Sequence, residues 1–317
     1  MRAVVAHGPR DFRLTELPEV DCPEGGLLVG VEATGVCAAD RMLWSGAHPW
    51  GELAFPFVPG HEVVGRVLQG YLPVGTRVTS EVKLPCGDCE ACRRGDGHLC
   101  PTGLHLGSGI PGGFAERLAL PKTARTHVVP DGLPLEQAVL AEPMACAVHA
   151  VARAGVGEGD RVLIAGLGGL GALAVHAARA AGAARVTALV RTSEKLSLAR
   201  DLGYDAAVLD PEEAGFDVGL DVSGAVEAVA VLLTAVRPGG RVGIYGVYDR
   251  PLSLDLNQLA EFGELRLSGG HLAPDCFPAA IALLERAHGV VTGTHPLERL
   301  TEAFAPKPLR LKEIVVP

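Results

Sequence analysis

Aromatic side chains make up only 4% of this 317-residue chain. A core built on stacked rings is therefore excluded, and Ala, Val and Leu must fill it through close helix–sheet contacts. Asparagine is nearly missing, with Asn257 alone, and Arg outnumbers Lys. That bias fits a heat-adapted host and a GC-rich genome equally well. No apolar run approaches the roughly 20 residues that a membrane-spanning helix needs. A basic surplus is absent too: 37 acidic against 28 basic residues leave a net charge of −9. Nucleic-acid binding needs a basic footprint, so that class is excluded. The N-terminus, MRAVVAHGPRDFRL, reads as a strand and turn and not as a signal peptide. The expectation is a soluble cytoplasmic protein.

What is present is more specific. Cys86, Cys89, Cys92 and Cys100 lie within CGDCEACRRGDGHLC. Cys-x-x-Cys spacing wraps a loop around Zn²⁺, and four thiolates close a tetrahedral site with no position left for substrate. The expected zinc is structural. Disulfides are the alternative, and a reducing cytosol opposes them. A zinc-ribbon nucleic-acid binder is opposed by the acidic balance and the length.

The length suggests two domains. Up to about Pro130 the chain is rich in Gly and Pro, with short strands at Ala3–Ala6, Leu27–Ala33, Glu62–Leu68 and Arg77–Val82, and a short helix near Ala38–Met42. Helical spacing begins over Leu135–Ala154. Strands at Arg161–Ala165, Arg185–Val190, Ala206–Leu209, Val218–Val222 and Arg241–Val247 then alternate with helices at Leu173–Ala181, Glu194–Leu202 and Ala225–Val236. Such alternation predicts βαβ units and a parallel sheet. The tail predicts helical pieces in Ala279–Ala287 and after Leu297, then a strand at Ile314–Val316.

Gly166-Leu167-Gly168-Gly169-Leu170-Gly171 fits G-x-G-x-x-G, between a predicted strand and a predicted helix. Gly166 permits the tight turn, Gly168 lets the backbone approach a pyrophosphate, and Gly171 lets helix and strand pack closely. Gly169 and Leu170 open a helix whose free N–H groups face the phosphates. The next strand ends at Val190, where an acid would bind the ribose 2′-OH of NAD. Arg191 follows, with Thr192 and Ser193. Without the carboxylate, Arg191 and Ser193 favour a 2′-phosphate, hence NADP(H) over NAD(H). A solvated surface arginine is the plainer reading.

Cys37, His61, Glu62 and Glu142 lie in GVCAAD, PGHEVVG and AEP. Singly, each has an ordinary reading: a small buried hydrophobe, a turn histidine, a helix-start acid. In this order, with the cysteine loop and the glycine fingerprint, they resemble zinc-dependent medium-chain alcohol dehydrogenases of the polyol, sorbitol/threonine-dehydrogenase-like branch, along essentially the whole chain. The segment Glu264–Leu272 also resembles the domain return of erythritol/threitol-type dehydrogenases. The resemblance implies an α/β protein. A GroES-like, mainly β catalytic domain would span 1–142 and 271–317, and a Rossmann domain 143–270. It implies catalytic zinc on Cys37, His61 and Glu142, with Glu62 beside the metal, and structural zinc on the cysteine loop. A secondary alcohol or polyol would pass a hydride to NAD(P). Lys312 matches a basic residue that reaches the cofactor pyrophosphate, with a solvated lysine as the alternative. Sheets paired edge to edge near Leu265–Ser268 would make a homodimer or homotetramer.

Departures from the family pattern are visible. Ala39 and Met42 stand where a relay hydroxyl and a histidine are usual, and Glu62 or His48 are candidates to replace that proton exit. Trp44, His48 and Trp50 in one loop suggest a shaped polar pocket. The stretch from Gly65 to Val74 is compressed. Cys146, His149 and His271 read as packing or cofactor-adjacent residues. Two other readings compete: a zinc-independent NADPH reductase of the same superfamily, which would lack the metal ligands, and a non-catalytic nucleotide-binding protein.

Overall fold

The computed structural model of the chain describes residues 1–49, 53–210 and 214–317. Its first unit is mainly β, as the alternating apolar runs predict. The elements are β1 (Arg2–Gly8), β2 (Asp11–Glu16), β3 (Leu27–Val36), α1 (Ala38–Ser45), β4 (Glu62–Gly70), β5 (Arg77–Ser80), β6 (Lys83–Leu84), α2 (Glu90–Arg93), β7 (Leu104–His105), β8 (Arg117–Leu120) and β9 (Thr126–Val128). Two helices, α3 (Leu135–Ala138) and α4 (Ala141–Ala154), lead out of it.

The second unit alternates as predicted. It holds β10 (Arg161–Ala165), α5 (Gly169–Ala180), β11 (Arg185–Leu189), α6 (Glu194–Asp201), β12 (Ala206–Val208), β13 (Phe216–Asp221), α7 (Val226–Ala235), β14 (Val236–Ile244), α8 (Leu256–Leu259) and β15 (Arg266–Gly269). These strands form a parallel sheet of six in the order β12-β11-β10-β13-β14-β15. The order reverses between β10 and β13, and ligands bind at such a switch point beyond the strands' C-terminal ends. The chain then forms α9 (Phe277–Leu283) and returns to the first sheet through β16 (Val291–Pro296), a 3₁₀ segment at Leu297–Phe304, and β17 (Lys312–Val316). That sheet runs β16-β17-β3-β4-β5-β9, with β8 also on β3. Among the described residues, no helix is long and apolar enough to cross a membrane.

The predicted helix over Leu135–Ala154 is broken. Pro143 lies in the first turn of α4, and in a continuous helix its ring would strike the carbonyl of Val139. The chain therefore restarts at Ala141, which fixes where Glu142 points. The alanines of α4 do the work that rings do elsewhere. Ala145, Ala147, Ala150 and Ala154 are buried. A Cβ on Gly243 of β14 would stand 2.6 Å from Ala154 Cβ. Helix α4 is shared between the units, since one core cluster joins it to Ala33 and Val64 on one side and to Ile164 and Leu220 on the other. The expected division at residue 271 assigned α9 to the first unit; Phe277, Ala280 and Leu284 bury into this cluster shared by both units. The first sheet is re-entered only at β16.

Glu313 locks that return. It is fully buried, and its Oε2 accepts from His295 Nε2 and Lys307 Nζ, each at 2.6 Å. Burial raises its pKa, but Lys307 and His295 outweigh it and hold the carboxyl below its ordinary value. A depressed carboxylate stabilises fully above its unfolded-state pKa, and the stabilisation fades as pH falls through the folded value. Glu313→Gln is expected to lower stability at neutral pH by about 1–3 kcal/mol and to flatten the acid limb of the stability–pH curve, both read from urea midpoints.

Candidate functional site

Strand register assembles the first group of donors. Gly35 pairs with Glu62 across β3 and β4, and Val36 pairs with Glu313 across β3 and β17. Cys37 follows as the residue before α1, and His61 immediately precedes β4. Ligand atoms of Cys37, His61 and Glu62 all lie within 4.8 Å of one another. Glycine is required at position 35, because a Cβ there would stand 2.1 Å from Glu62 Oε2.

Asp40 belongs to this group, and the sequence reading missed it. Its Oδ2 accepts the Cys37 backbone N–H at 2.8 Å, and its Oδ1 lies 3.9 Å from His61 Nδ1. The available signal was an acid three residues after a helix-capping position, spaced to reach back to the cap's N–H. Although burial lowers the His61 pKa, Asp40 and Cys37 raise it well above its ordinary value.

Lys312 is not solvated. It is buried, and its Nζ donates to both oxygens of Glu62 at 2.6 and 2.7 Å, with Val36 O at 3.4 Å. Its stem passes the glycine loop, since a Cβ on Gly169 would stand 3.0 Å from Lys312 Cε. Burial lowers its pKa, but Glu62 and Cys37 prevail and hold it above the usual lysine value.

Glu142 sits in the first turn of α4, buried, and stands outside the 4.8 Å group. Its Oε1 accepts from Cys146 Sγ at 3.2 Å, so Cys146 does more than pack. Burial, then the charge of Glu62, raises the Glu142 pKa, while His61 opposes the rise. Burial likewise raises Asp40. Among the described residues the region thus gathers one thiol and three carboxyl groups, Cys37, Asp40, Glu62 and Glu142, with His61 and Lys312 as the basic groups. Thiol, imidazole and carboxyl groups gathered in one buried, acid-rich region are the donor chemistry of zinc, and the residues fit such an ion.

The cysteine loop fits a second ion more fully. All eight cysteines of the chain are unpaired by disulfide. Sulfur–sulfur separations are 3.4 Å for Cys89–Cys92, 3.7 Å for Cys89–Cys100 and 3.9 Å for Cys86–Cys92. A tetrahedron with Zn–S bonds of about 2.3 Å has edges of about 3.8 Å. Backbone N–H groups of Cys86 and Cys89 point at Cys100 and Cys86 sulfurs, each at 3.4 Å, as thiolates require.

The glycine loop has the form its sequence predicts. Gly166 has φ +108°, and a Cβ on Gly171 would stand 1.9 Å from Gly166 O. Gly168, by contrast, faces open space, the cradle a phosphate needs. Helix α5 begins at Gly169, earlier than the expected Leu173, and Leu170 is partly buried in its first turn. Asp221, unremarked in the sequence, steadies the adjacent strand ends. It is fully buried and accepts from Ser223 Oγ at 2.6 Å, Tyr248 OH at 2.5 Å and Gly224 N at 3.2 Å. Past β11, Val190 is buried, while Arg191 and Ser193 are exposed. Lys195 Nζ donates to Leu167 O at 2.8 Å, and burial with the charges of Arg191 and Arg310 lowers its pKa.

Of the three residues expected to shape a pocket, Trp44, His48 and Trp50, the first is taken up in packing. Trp44 packs into an aromatic cluster, 5.2 Å from Phe12 and 5.5 Å from Phe304 between ring centroids. Trp50 lies outside the described residues, and His48 sits half-buried in the loop after α1. His149 lies 5.8 Å from the His98 ring and 6.3 Å from Tyr245.

The profile of the alcohol dehydrogenase GroES-like domain matches residues 23–131, and that of zinc-binding dehydrogenases matches residues 169–286. The erythritol/L-threitol dehydrogenase of Mycolicibacterium smegmatis is 36% identical, over 90% of this chain and 87% of the relative. The D-altritol 5-dehydrogenase of Agrobacterium fabrum is 32% identical, over 93% and 92%. Among solved structures, L-idonate 5-dehydrogenase from Escherichia coli superposes with a TM-score of 0.92 at 26% identity, covering 100% of this chain and 98% of that one. A zinc-binding dehydrogenase of Sinorhizobium meliloti bound to NADP gives a TM-score of 0.91 at 26% identity, covering 100% and 99%. Kinship along nearly the full sequence, on a fold in which a GroES-like sheet is interrupted by a nucleotide-binding one, makes this chain a member of the zinc-binding alcohol and polyol dehydrogenase family.

Proposed function

We propose that this chain is a zinc-dependent, NADP(H)-preferring dehydrogenase that interconverts a secondary alcohol or polyol and its ketone or aldehyde. The observation that carries the reading is Lys312. One buried side chain lies against Gly169 of the nucleotide loop and grips Glu62 of the donor group. The nucleotide loop and the metal donors are therefore within a side chain's reach. Hydride transfer needs its two carbons held close, and this adjacency supplies the frame.

Bound zinc supplies Lewis acidity that lowers an alcohol's pKa, and bound nicotinamide supplies the hydride acceptor. Cys37, His61 and Glu142 are the proposed holders of the catalytic ion. Both oxygens of Glu62 are taken by Lys312, whereas among the described residues Glu142 is held only by the weak donor Cys146. Glu142 is thus the carboxylate free to turn to a metal, and Glu62 sets the charge beside it. Asp40 holds the backbone of Cys37 and sets a carboxyl group 3.9 Å from His61. Ala39 offers no hydroxyl, so a proton leaving the alcohol has no side-chain relay at that position.

Two zinc ions per chain are expected by elemental analysis. Glu142→Ala is expected to fold, keep the structural ion, lose the other and lose turnover. Cys92→Ser is expected to lose the structural ion and to unfold earlier on heating.

Arg191 and Ser193 are the proposed partners of the 2′-phosphate, with Lys195 behind them on the loop carbonyl of Leu167. The NADP-bound relative supports this choice of cofactor. Arg191→Ala is expected to raise KM for NADP(H) about ten- to a hundredfold while leaving KM for NAD(H) within about twofold in steady-state kinetics.

A homodimer through the β15 edge is the proposed assembly. That strand ends the parallel sheet, and Leu267, Phe262 and Leu256 stand exposed beside it, at 38%, 72% and 67%. Light scattering is expected to give a dimer or tetramer for the unaltered chain, and monomers for Phe262→Glu with Leu267→Glu.

A further inference from the structure

A narrow crevice opens beside Glu142, between the cysteine lobe and the segment leading into α9. Glu81, Lys83, His98, Glu142, Ala273 and Phe277 line it, and its free space is about that of one oxygen atom. The groups around it are unequally satisfied. Glu81 is occupied, with His127 Nε2 at 3.0 Å and Arg125 Nε at 3.4 Å. Phe277 is covered by the stacked His127 ring at 4.5 Å. Lys83 is buried, yet among the described residues it has no carboxylate partner. Its Nζ donates to Gly103 O at 2.9 Å and meets His105 Nε2 at 3.5 Å. An ammonium has three N–H donors, so one is left over. His98 Nδ1 is buried with no hydrogen-bond partner among the described residues.

We propose that this crevice is the slot for one distal hydroxyl of the substrate, held by Lys83 and His98 while the reacting carbinol lies at the metal side of Glu142. The assignment rests on the dehydrogenase reading above. Chemistry and size select the ligand. A hydroxyl both donates and accepts, so one oxygen accepts from Lys83 and donates to the bare imidazole nitrogen. A carboxylate brings two oxygens to a space for one and has no proton for His98. A methyl group would leave a buried ammonium donor and a buried nitrogen unpaired, and a site built for a hydroxyl rejects such an analogue strongly. Lys83 and His98 are therefore specificity residues that make the site one for polyols over simple secondary alcohols.

The test compares a tetritol, its deoxy analogue butane-1,2,3-triol, and butan-2-ol, each oxidised with NADP by the zinc-loaded enzyme. The unaltered enzyme is expected to prefer the tetritol over the deoxy analogue by about ten- to a hundredfold in kcat/KM. Lys83→Met, close in length and without the charge, is expected to abolish most of that preference through KM, with kcat for butan-2-ol and the zinc content unchanged. Equal rates for tetritol and deoxy analogue in the unaltered enzyme, or turnover of butan-2-ol but not of the tetritol, would mean a water slot only and overturn the assignment. That comparison needs no variant, so it decides the matter even if Lys83→Met folds poorly. A parallel loss on all three alcohols in Lys83→Met also overturns it, and leaves the dehydrogenase reading intact. No turnover of any alcohol by the unaltered enzyme removes both.

Discussion

The contact on which the site depends is the buried pair of Lys312 and Glu62. Glu62 opens β4, and Lys312 opens β17, which lies 250 residues further along the chain. Between them the whole nucleotide-binding unit is folded. Burial raises the pKa of Asp40 and of Glu142, and Lys312 is the ammonium that faces Glu62 among these acids. Lys312 removes one negative charge from that group and does so from the strand that closes the first sheet. Pairing β17 with β3 therefore completes both a sheet and an electrostatic site. Breaking one partner of such a pair costs far more than the pair itself contributes, since the remaining charge stays buried.

Much of this arrangement was legible in the residues. The βαβ alternation, the glycine loop and the cysteine lobe rest on local rules: period, turn chemistry and ligand spacing. Each of these appeared in the structure within a few residues of its expected place. What the sequence hid is non-local. Lys312 reads as a surface or cofactor lysine until the fold brings its side chain onto Glu62, from a strand that shares β3 with β4. Trp44 reads as a pocket wall until Phe12 and Phe304 are folded against it. Asp221 reads as an ordinary acid in DVSG until its carboxylate is seen to hold Ser223, Gly224 and Tyr248 together. Strand β16, with its Thr-Gly-Thr-His run, escaped notice because Gly293 is a poor strand residue. It is there because a Cβ would stand 2.2 Å from Glu313 Oε2.

The two cysteine-bearing regions differ in how their donor atoms are arranged. The lobe of Cys86, Cys89, Cys92 and Cys100 arranges four sulfurs at tetrahedral spacing with backbone N–H groups already turned to them. The donors around Cys37 are mixed and incompletely gathered, with Glu142 held aside by Cys146. A closed set of like ligands suits a permanent ion, and a mixed, open set suits one that must also meet a substrate. His98 lies inside the lobe and also faces the crevice beside Glu142, so the lobe contributes a wall to the cleft as well as its own fold.

The tight seating of α4 on β14 restricts what sequence drift can do. Where Gly243 and Ala154 nearly touch, neither residue can gain a carbon without pushing the helix outward. That displacement would carry Glu142 with it, since the same rigid rod bears both. Variation in the preferred alcohol is thus channelled away from the shared helix and into the lobe and loops that rim the cleft, where side chains can change size without moving Glu142.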